Sequence, residues 1–169
     1  NNILYMKVVM MGLGYIGLPT AAVIANKGTK VLGVDVNSSV VNTINKGKIH
    51  IVEPDLENIV KKVVQKNMLE ASTSVDSADV FLIAVPTPFK ENNEPDLKYV
   101  ESATRMIIPY LKKGNLYIIE STSPVGTTEK MAKIIFDERP ELKNNLNIAY
   151  CPERVLPGNV IFELEHNDR

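Results

Sequence analysis

Lys7-Val8-Val9-Met10-Met11-Gly12-Leu13-Gly14-Tyr15-Ile16-Gly17, continued by LPTAAVIANKG to Gly28, is an apolar run broken by three glycines and resumed by small and apolar residues. The run before Gly12 has strand length, the run from Leu18 to Ala25 has helix composition, and Gly28 is placed to close it. The segment therefore predicts strand, tight turn, helix. Its turn fits GxGxxG, and each glycine has a separate reason. Gly12 lets the chain reverse sharply, Gly14 leaves room for a pyrophosphate against the backbone, and Gly17 lets the helix pack on the strand with its free N–H groups facing the phosphates. Tyr15 and Ile16 lie inside the same turn and join the glycines as candidate cofactor contacts.

The next run, KVLGVD, reads as a second strand ending at Asp35, 23 residues beyond Gly12. A carboxylate there accepts hydrogen bonds from the adenosine ribose hydroxyls and repels a 2′-phosphate, which favours NAD over NADP. Glycines at any strand-to-helix turn can serve packing alone. The preceding strand, the following helix and the spaced acid together select dinucleotide binding instead. FAD, which shares the opening pattern, and a non-catalytic NAD-sensing domain stay open as rivals.

Outward from this unit the pattern repeats in kind. Asn37 is placed to cap a helix carrying Val40, Val41 and Ile44, and Asp55 another carrying Leu56, Ile59, Val60, Val63, Val64 and Met68 on one face. ADVFLIAVP is apolar throughout, as a central parallel strand covered on both faces must be, with Pro86 and Pro88 ending it. After the loop PFKENNEPD, Asp96 is placed to cap a helix with Leu97, Val100, Thr104, Ile107, Ile108 and Leu111 on one side. LYIIESTSPVG turns from strand to loop, TTEKMAKIIFDE has Met131, Ile134 and Ile135 at helical offsets, and LNIAYCPE gives a further short strand. About six strands and five helices in alternation predict an α/β fold: a Rossmann-like, doubly wound, mostly parallel sheet with helices on both faces.

Composition narrows the function classes. The 169 residues are 44% hydrophobic and 23% charged, enough for one compact domain and short for a complete multidomain enzyme. Nineteen Lys+Arg against twenty Asp+Glu give a net charge of −1, so no field of one sign argues for nucleic acid or an anionic membrane as partner. The longest strongly apolar stretches are strand length, against the roughly 20 residues a membrane helix needs. Asn1 to Tyr5 lack the features of a signal peptide, and a cytoplasmic protein is expected. With one cysteine, Cys151, and two histidines, His50 and His166, a disulfide framework is excluded and no metal site is expected.

In an open α/β sheet, ligands bind beyond the carboxyl ends of the strands. Three strand ends with polar or turn-rich composition converge there: Pro86-Thr87-Pro88, Glu120 to Pro124, and Cys151-Pro152-Glu153-Arg154. Glu153 is a candidate to hold an active-site water, Thr122 to donate a hydrogen bond, and Arg154 to meet a phosphate or carboxylate. Taken singly, these residue types are more often a solvated surface or a helix cap. Cys151 has no partner in the sequence that would make it a thiolate, and a free cysteine is commonly a small buried hydrophobe.

The segments GLGYIGLPTA, HIVEPDL, AVPTPF, ESTSPVGTTE and CPERVLPGN resemble the N-terminal half of the UDP-glucose/GDP-mannose dehydrogenase family, from about Lys7 to the last residue. The PERVLPG wording is similar to the family's N-acetylhexosamine branch. The resemblance implies that residues 1–169 are an NAD-binding domain, without the central helix, dimerisation region and C-terminal substrate domain of the longer enzyme. It implies oxidation of UDP-N-acetyl-D-mannosamine to UDP-N-acetyl-D-mannosaminuronic acid with two NAD, for surface-polysaccharide precursors, by a homodimer or higher homo-oligomer. UDP-glucose and UDP-N-acetylglucosamine are the alternative substrates, and a non-catalytic NAD-binding regulatory module is the alternative of another class.

By matching motifs, the family implies NAD contacts at Gly12, Gly14, Gly17, Asp35, Thr87 and Thr122, catalytic roles for Thr122 and Glu153, and substrate contacts at Glu153, Arg154, Val155 and Leu156. The second carboxylate of the UDP-glucose branch, four residues after the first, is replaced here by Pro157. The family mechanism passes through a thiohemiacetal and a thioester on a cysteine for which Cys151 is not the counterpart. These residues are therefore expected to bind NAD and not to turn over alone.

Overall fold

The computed structural model describes residues 6–152. Its elements run β1 (Lys7–Met11), α1 (Gly17–Asn26), β2 (Lys30–Val34), α2 (Ser38–Asn45), α3 (Leu56–Gln65), β3 (Leu69–Ser72), β4 (Val80–Ile83), α4 (Lys98–Ile107), β5 (Leu116–Ser121), α5 (Thr127–Glu138) and β6 (Asn147–Pro152). The strands form one sheet in the order β3-β2-β1-β4-β5-β6. Every pairing among them is parallel, so the expected Rossmann-like sheet is parallel throughout the described residues.

The apolar run of β1 serves two cores at once because successive strand side chains point to opposite faces. Val8 and Met10 join Leu18, Ala21, Ile44, Val60 and Leu69 beneath α1, α2 and α3. Val9 and Met11 join Phe81, Val100, Ile107, Tyr117 and Met131 beneath α4 and α5. Helices α3 and α4 each present a narrow stripe to their core, Leu56, Val60 and Val63 in α3 and Val100, Ala103, Thr104 and Ile107 in α4, whereas α1 is buried over most of its length. A fully buried Val or Leu side chain in such a stripe contributes about 1.5–3 kcal/mol.

The order in which strands are added reverses between β1 and β4. The β1–α1–β2 crossover leaves toward one edge of the sheet and β4–α4–β5 toward the other, which opens a crevice above the carboxyl ends of β1 and β4. The return from β3 to β4 has no helix. Residues 73–79 cross the second face, with Val75 buried in the same core as Leu32 and Val34.

Two expected caps differ from the structure. Asn37 caps α2 as expected, accepting from Ser39 N at 3.0 Å and Val40 N at 3.4 Å. Asp55 precedes α3 in a left-handed conformation (φ 64°) and its side chain caps nothing, because that backbone aims it away from the first-turn amides. Asp96 lies one residue before the helix boundary at Leu97, where its carboxylate accepts from Lys98 N at 3.1 Å and pairs with Lys98 Nζ at 3.7 Å. The edge strand β3, LEAS, is an element that helical periodicity through Met68 obscures. No helix among the described residues is long and apolar enough to cross a membrane.

Candidate functional site

The glycine turn between β1 and α1 divides its three glycines by function. Gly12 has φ +95°, and a Cβ there would stand 2.6 Å from the Ala84 carbonyl oxygen of the neighbouring strand end. At Gly17 a Cβ would stand 1.8 Å from the carbonyl oxygen of Gly12 itself. The fold alone requires both. Gly14 is different: a Cβ there meets no atom within 4 Å, so the bare backbone is turned to open space. The α1 N-terminus behind it has no side-chain cap at Ile16 and no acidic residue in its first turn; Leu18 N donates to the Gly14 carbonyl at 3.1 Å and Pro19 has no N–H, so the amides open to a ligand are those of the turn that leads into the helix.

A fourth glycine supports the turn. A Cβ on Gly33 of β2 would come 2.6 Å from Leu13 Cδ2, so this strand glycine makes room for the fully buried Leu13. A lone glycine inside a strand signals such a close approach, and it was readable in KVLGVD.

Asp35 stands just past the end of β2 with both carboxylate oxygens engaged. Oδ2 accepts from Leu13 N at 3.0 Å and Oδ1 from Asn37 N at 2.9 Å. Two amides fix its orientation and leave lone pairs for hydroxyl donors. Beside it, Tyr15 (53% exposed) and Val36 (82% exposed) present uncovered apolar surface. Together these residues line one half of a cleft of about 740 Å³, within the size range of cofactor pockets.

The other half is built by the ends of β4 and β5. Thr87 and Thr122 bring their hydroxyls to 3.3 Å across 35 residues of sequence. The β5–α5 loop is held from three directions. Ser121 and Ser123 hydroxyls bond one another, Tyr150 of β6 donates to the Ser121 carbonyl at 2.8 Å, and Thr20 of α1 donates to Glu120 Oε1 at 3.5 Å. Glu120 is 3% exposed and lines the cleft, a buried carboxylate that strand-end composition did not distinguish from a solvated one. Among the described residues that line the cleft, Asp35 and Glu120 carry the charge, and no lysine or arginine does.

The structure thus gathers Gly12, Gly14, Tyr15, Ile16, Asp35, Thr87 and Thr122 at one cleft, with Gly17 directly behind the turn. Glu153, Arg154, Val155 and Leu156 lie outside the described residues, as does His166. Cys151 is half-buried near the end of β6 and pairs in register with Glu120, whereas His50 is exposed before α3. The open Gly14 surface, the uncapped helix end and the amide-held Asp35 fit a dinucleotide carrying a free adenosine ribose.

Comparisons with known proteins agree with this geometry. Residues 6–169 match the UDP-glucose/GDP-mannose dehydrogenase family, NAD binding domain. The chain is 58% identical over 168 residues to the UDP-N-acetyl-D-mannosamine dehydrogenase of Escherichia coli (strain K12), covering 95% of this chain and 40% of that protein. It is 52% identical over 168 residues to the NDP-N-acetyl-D-galactosaminuronic acid dehydrogenase of Ralstonia nicotianae, with the same coverage of 95% and 40%. The native structure of the UDP-N-acetyl-mannosamine dehydrogenase from Staphylococcus aureus superposes with a TM-score of 0.90 at 40% identity, covering 96% of this chain and 40% of that one. The chain therefore spans about 40% of the length of these relatives.

Proposed function

Since the chain belongs to the UDP-glucose/GDP-mannose dehydrogenase family and matches its NAD-binding domain, we propose that it is the cofactor platform of a UDP-N-acetyl-D-mannosamine 6-dehydrogenase. The observation that carries this reading is the cleft, where Gly14 opens its backbone to a ligand beside an Asp35 already oriented by two amides. Asp35 accepts from the adenosine ribose, and the Gly12–Gly17 turn with Tyr15 and Ile16 presents amides to the pyrophosphate. Thr87 and Thr122 meet the nicotinamide side, and bound NAD supplies the hydride acceptor.

Taking the C6 alcohol to a carboxylic acid consumes water, delivers two hydrides to two NAD and releases two protons. Glu153 holds the water in this reading, and Arg154, Val155 and Leu156 contact the nucleotide sugar. The remaining machinery belongs to a longer polypeptide, consistent with relatives of which this chain spans 40%. The 52% identity to an enzyme named for N-acetyl-D-galactosaminuronic acid supports a second reading, in which another N-acetylated nucleotide sugar is the substrate.

Calorimetry with NAD, paired with an NADH assay on UDP-N-acetyl-D-mannosamine, tests the proposal. Binding without turnover by the 169 residues is expected. Steady NADH production by them alone, or no NAD binding, would overturn it.

A further inference from the structure

We infer that Tyr150 is a positioning residue for the cofactor: its hydroxyl pins the end of β5 so that Thr122 meets the nicotinamide. The inference rests on the proposed NAD reading and deepens it by naming the side chain through which β6 acts on the site.

The geometry comes first. Thr122 is the exposed residue between two buried serines, and it lines the cleft. The carbonyls on either side of it, those of Ser121 and Ser123, face one donor: the Tyr150 hydroxyl stands 2.8 Å from the first and 3.3 Å from the second. A hydroxyl has one hydrogen, so the nearer carbonyl takes the main bond and the farther one shares it or exchanges with it. Ser121 and Ser123 are also tied to each other, hydroxyl to hydroxyl and through Ser123 N to Ser121 Oγ at 3.2 Å. The three-residue arc is thus closed on itself by its serines and fastened to β6 by Tyr150, and Thr122 is what it presents to the cleft.

This tie is separate from the sheet. β5 and β6 pair in parallel register, with Ile119 opposite Tyr150, and that backbone ladder would form with any residue at position 150 that keeps its N–H. The Tyr150 side chain reaches past Ile119 to residues 121 and 123. At 43% exposure it belongs to neither core, so its hydroxyl serves the loop more than the packing.

A loop held before the ligand arrives spares the ligand the cost of ordering it. Without the Tyr150 hydroxyl, the Ser121 and Ser123 carbonyls turn to water and Thr122 divides its time among several positions. NAD then binds through the fraction of molecules in which Thr122 stands beside Thr87, and its apparent affinity falls by that fraction. ADP-ribose, which lacks the nicotinamide, does not draw on it.

The test is a double-mutant cycle read by calorimetry: the wild-type chain, Tyr150→Phe, Thr122→Val and the double variant, each titrated with NAD and with ADP-ribose. Tyr150→Phe keeps the ring and removes the hydroxyl. It should weaken NAD by about three- to tenfold, the worth of one neutral hydrogen bond, and leave ADP-ribose within about twofold. In the Thr122→Val chain, which has already lost the hydroxyl being positioned, adding Tyr150→Phe should weaken NAD by no more than about twofold further. Equal losses for NAD and ADP-ribose, unchanged NAD affinity in either single variant, or full additivity of the two substitutions would overturn the inference and leave the cofactor site standing. Should Tyr150→Phe fail to fold, the hydroxyl serves the fold and the inference falls. Failure of the wild type to bind either ligand would overturn the cofactor site and this inference with it.

Discussion

The backbone amide of Leu13 donates to Asp35 Oδ2 at 3.0 Å, joining the glycine turn after β1 to the acid at the end of β2 across 22 residues. The acid is thus part of the turn before any ligand arrives. Because Oδ1 also takes Asn37 N at 2.9 Å, Asp35→Ala removes the side-chain acceptors of two backbone amides as well as the ribose contact. Loss of NAD affinity by tenfold or more is expected in calorimetry, with a stability loss of about 1–3 kcal/mol, since Asn37 is exposed but the amide of the buried Leu13 loses its acceptor. Preference for NAD over NADP should shrink in the same variant because the repelling charge is gone. Unchanged NAD affinity would count against the ribose role.

Alanine substitutions in the turn should separate folding from binding. Gly17→Ala drives a methyl to 1.8 Å from the Gly12 carbonyl oxygen, and should destabilise by about 3 kcal/mol or more through overpacking. Gly14→Ala meets nothing within 4 Å, so its thermal midpoint should match the wild type while NAD affinity falls. Thermal melts and titrations on the same two proteins check both halves. A Gly14→Ala variant that binds NAD normally would show that the open surface is not where the pyrophosphate lies.

The sequence was most informative where geometry admits one residue type. A carbonyl oxygen 1.8 Å from a hypothetical Cβ leaves only glycine at position 17, so the requirement is written in the residue itself. The same holds for the apolar β1 run, whose two buried faces demand it. What the sequence concealed depends on distant partners. Glu120 reads as an ordinary acid at a strand end until Thr20, 100 residues away, covers it. Asp55 has the composition of a cap, but its left-handed backbone, following Pro54, takes the side chain away from the helix amides. β3 alternates buried and exposed residues over only four positions at the sheet edge, too short to stand out from the helix before it.

Tyr117 offers a test of the core beneath α4. It is fully buried, and its hydroxyl lies 2.6 Å from Thr104 Oγ1. Replacing Tyr117 by Phe leaves the Thr104 hydroxyl without this partner and should cost about 1–2 kcal/mol. Burial holds the Tyr117 phenol well above its ordinary value, despite the opposing hydrogen bond from Thr104. Its folded value is raised, so its contribution to stability is fully present below about pH 10 and is lost as pH rises beyond that toward the folded value. Denaturant melts on both sides of about pH 10 should show the wild type losing stability faster than Tyr117→Phe. A variant with the same alkaline slope as the wild type would mean that this phenol does not govern it.

Thr122 and Thr87 form a hydroxyl pair at 3.3 Å, and the two valine variants ask whether that pair serves only itself. Each substitution keeps the shape and removes one hydroxyl. Thr122 is exposed and Thr87 only half-buried, so neither change should move the thermal midpoint by more than a degree or two. If the pair were purely a loop tie, both variants would bind every ligand as the wild type does. The cofactor role places them on the nicotinamide side, so Thr122→Val should weaken NAD severalfold and leave ADP-ribose, which lacks that ring, unaffected. Thr87→Val should follow in the same direction, since it frees the Thr122 hydroxyl from its partner and loosens the β4 end against β5. Equal losses for NAD and ADP-ribose would instead assign the pair to shaping the cleft as a whole.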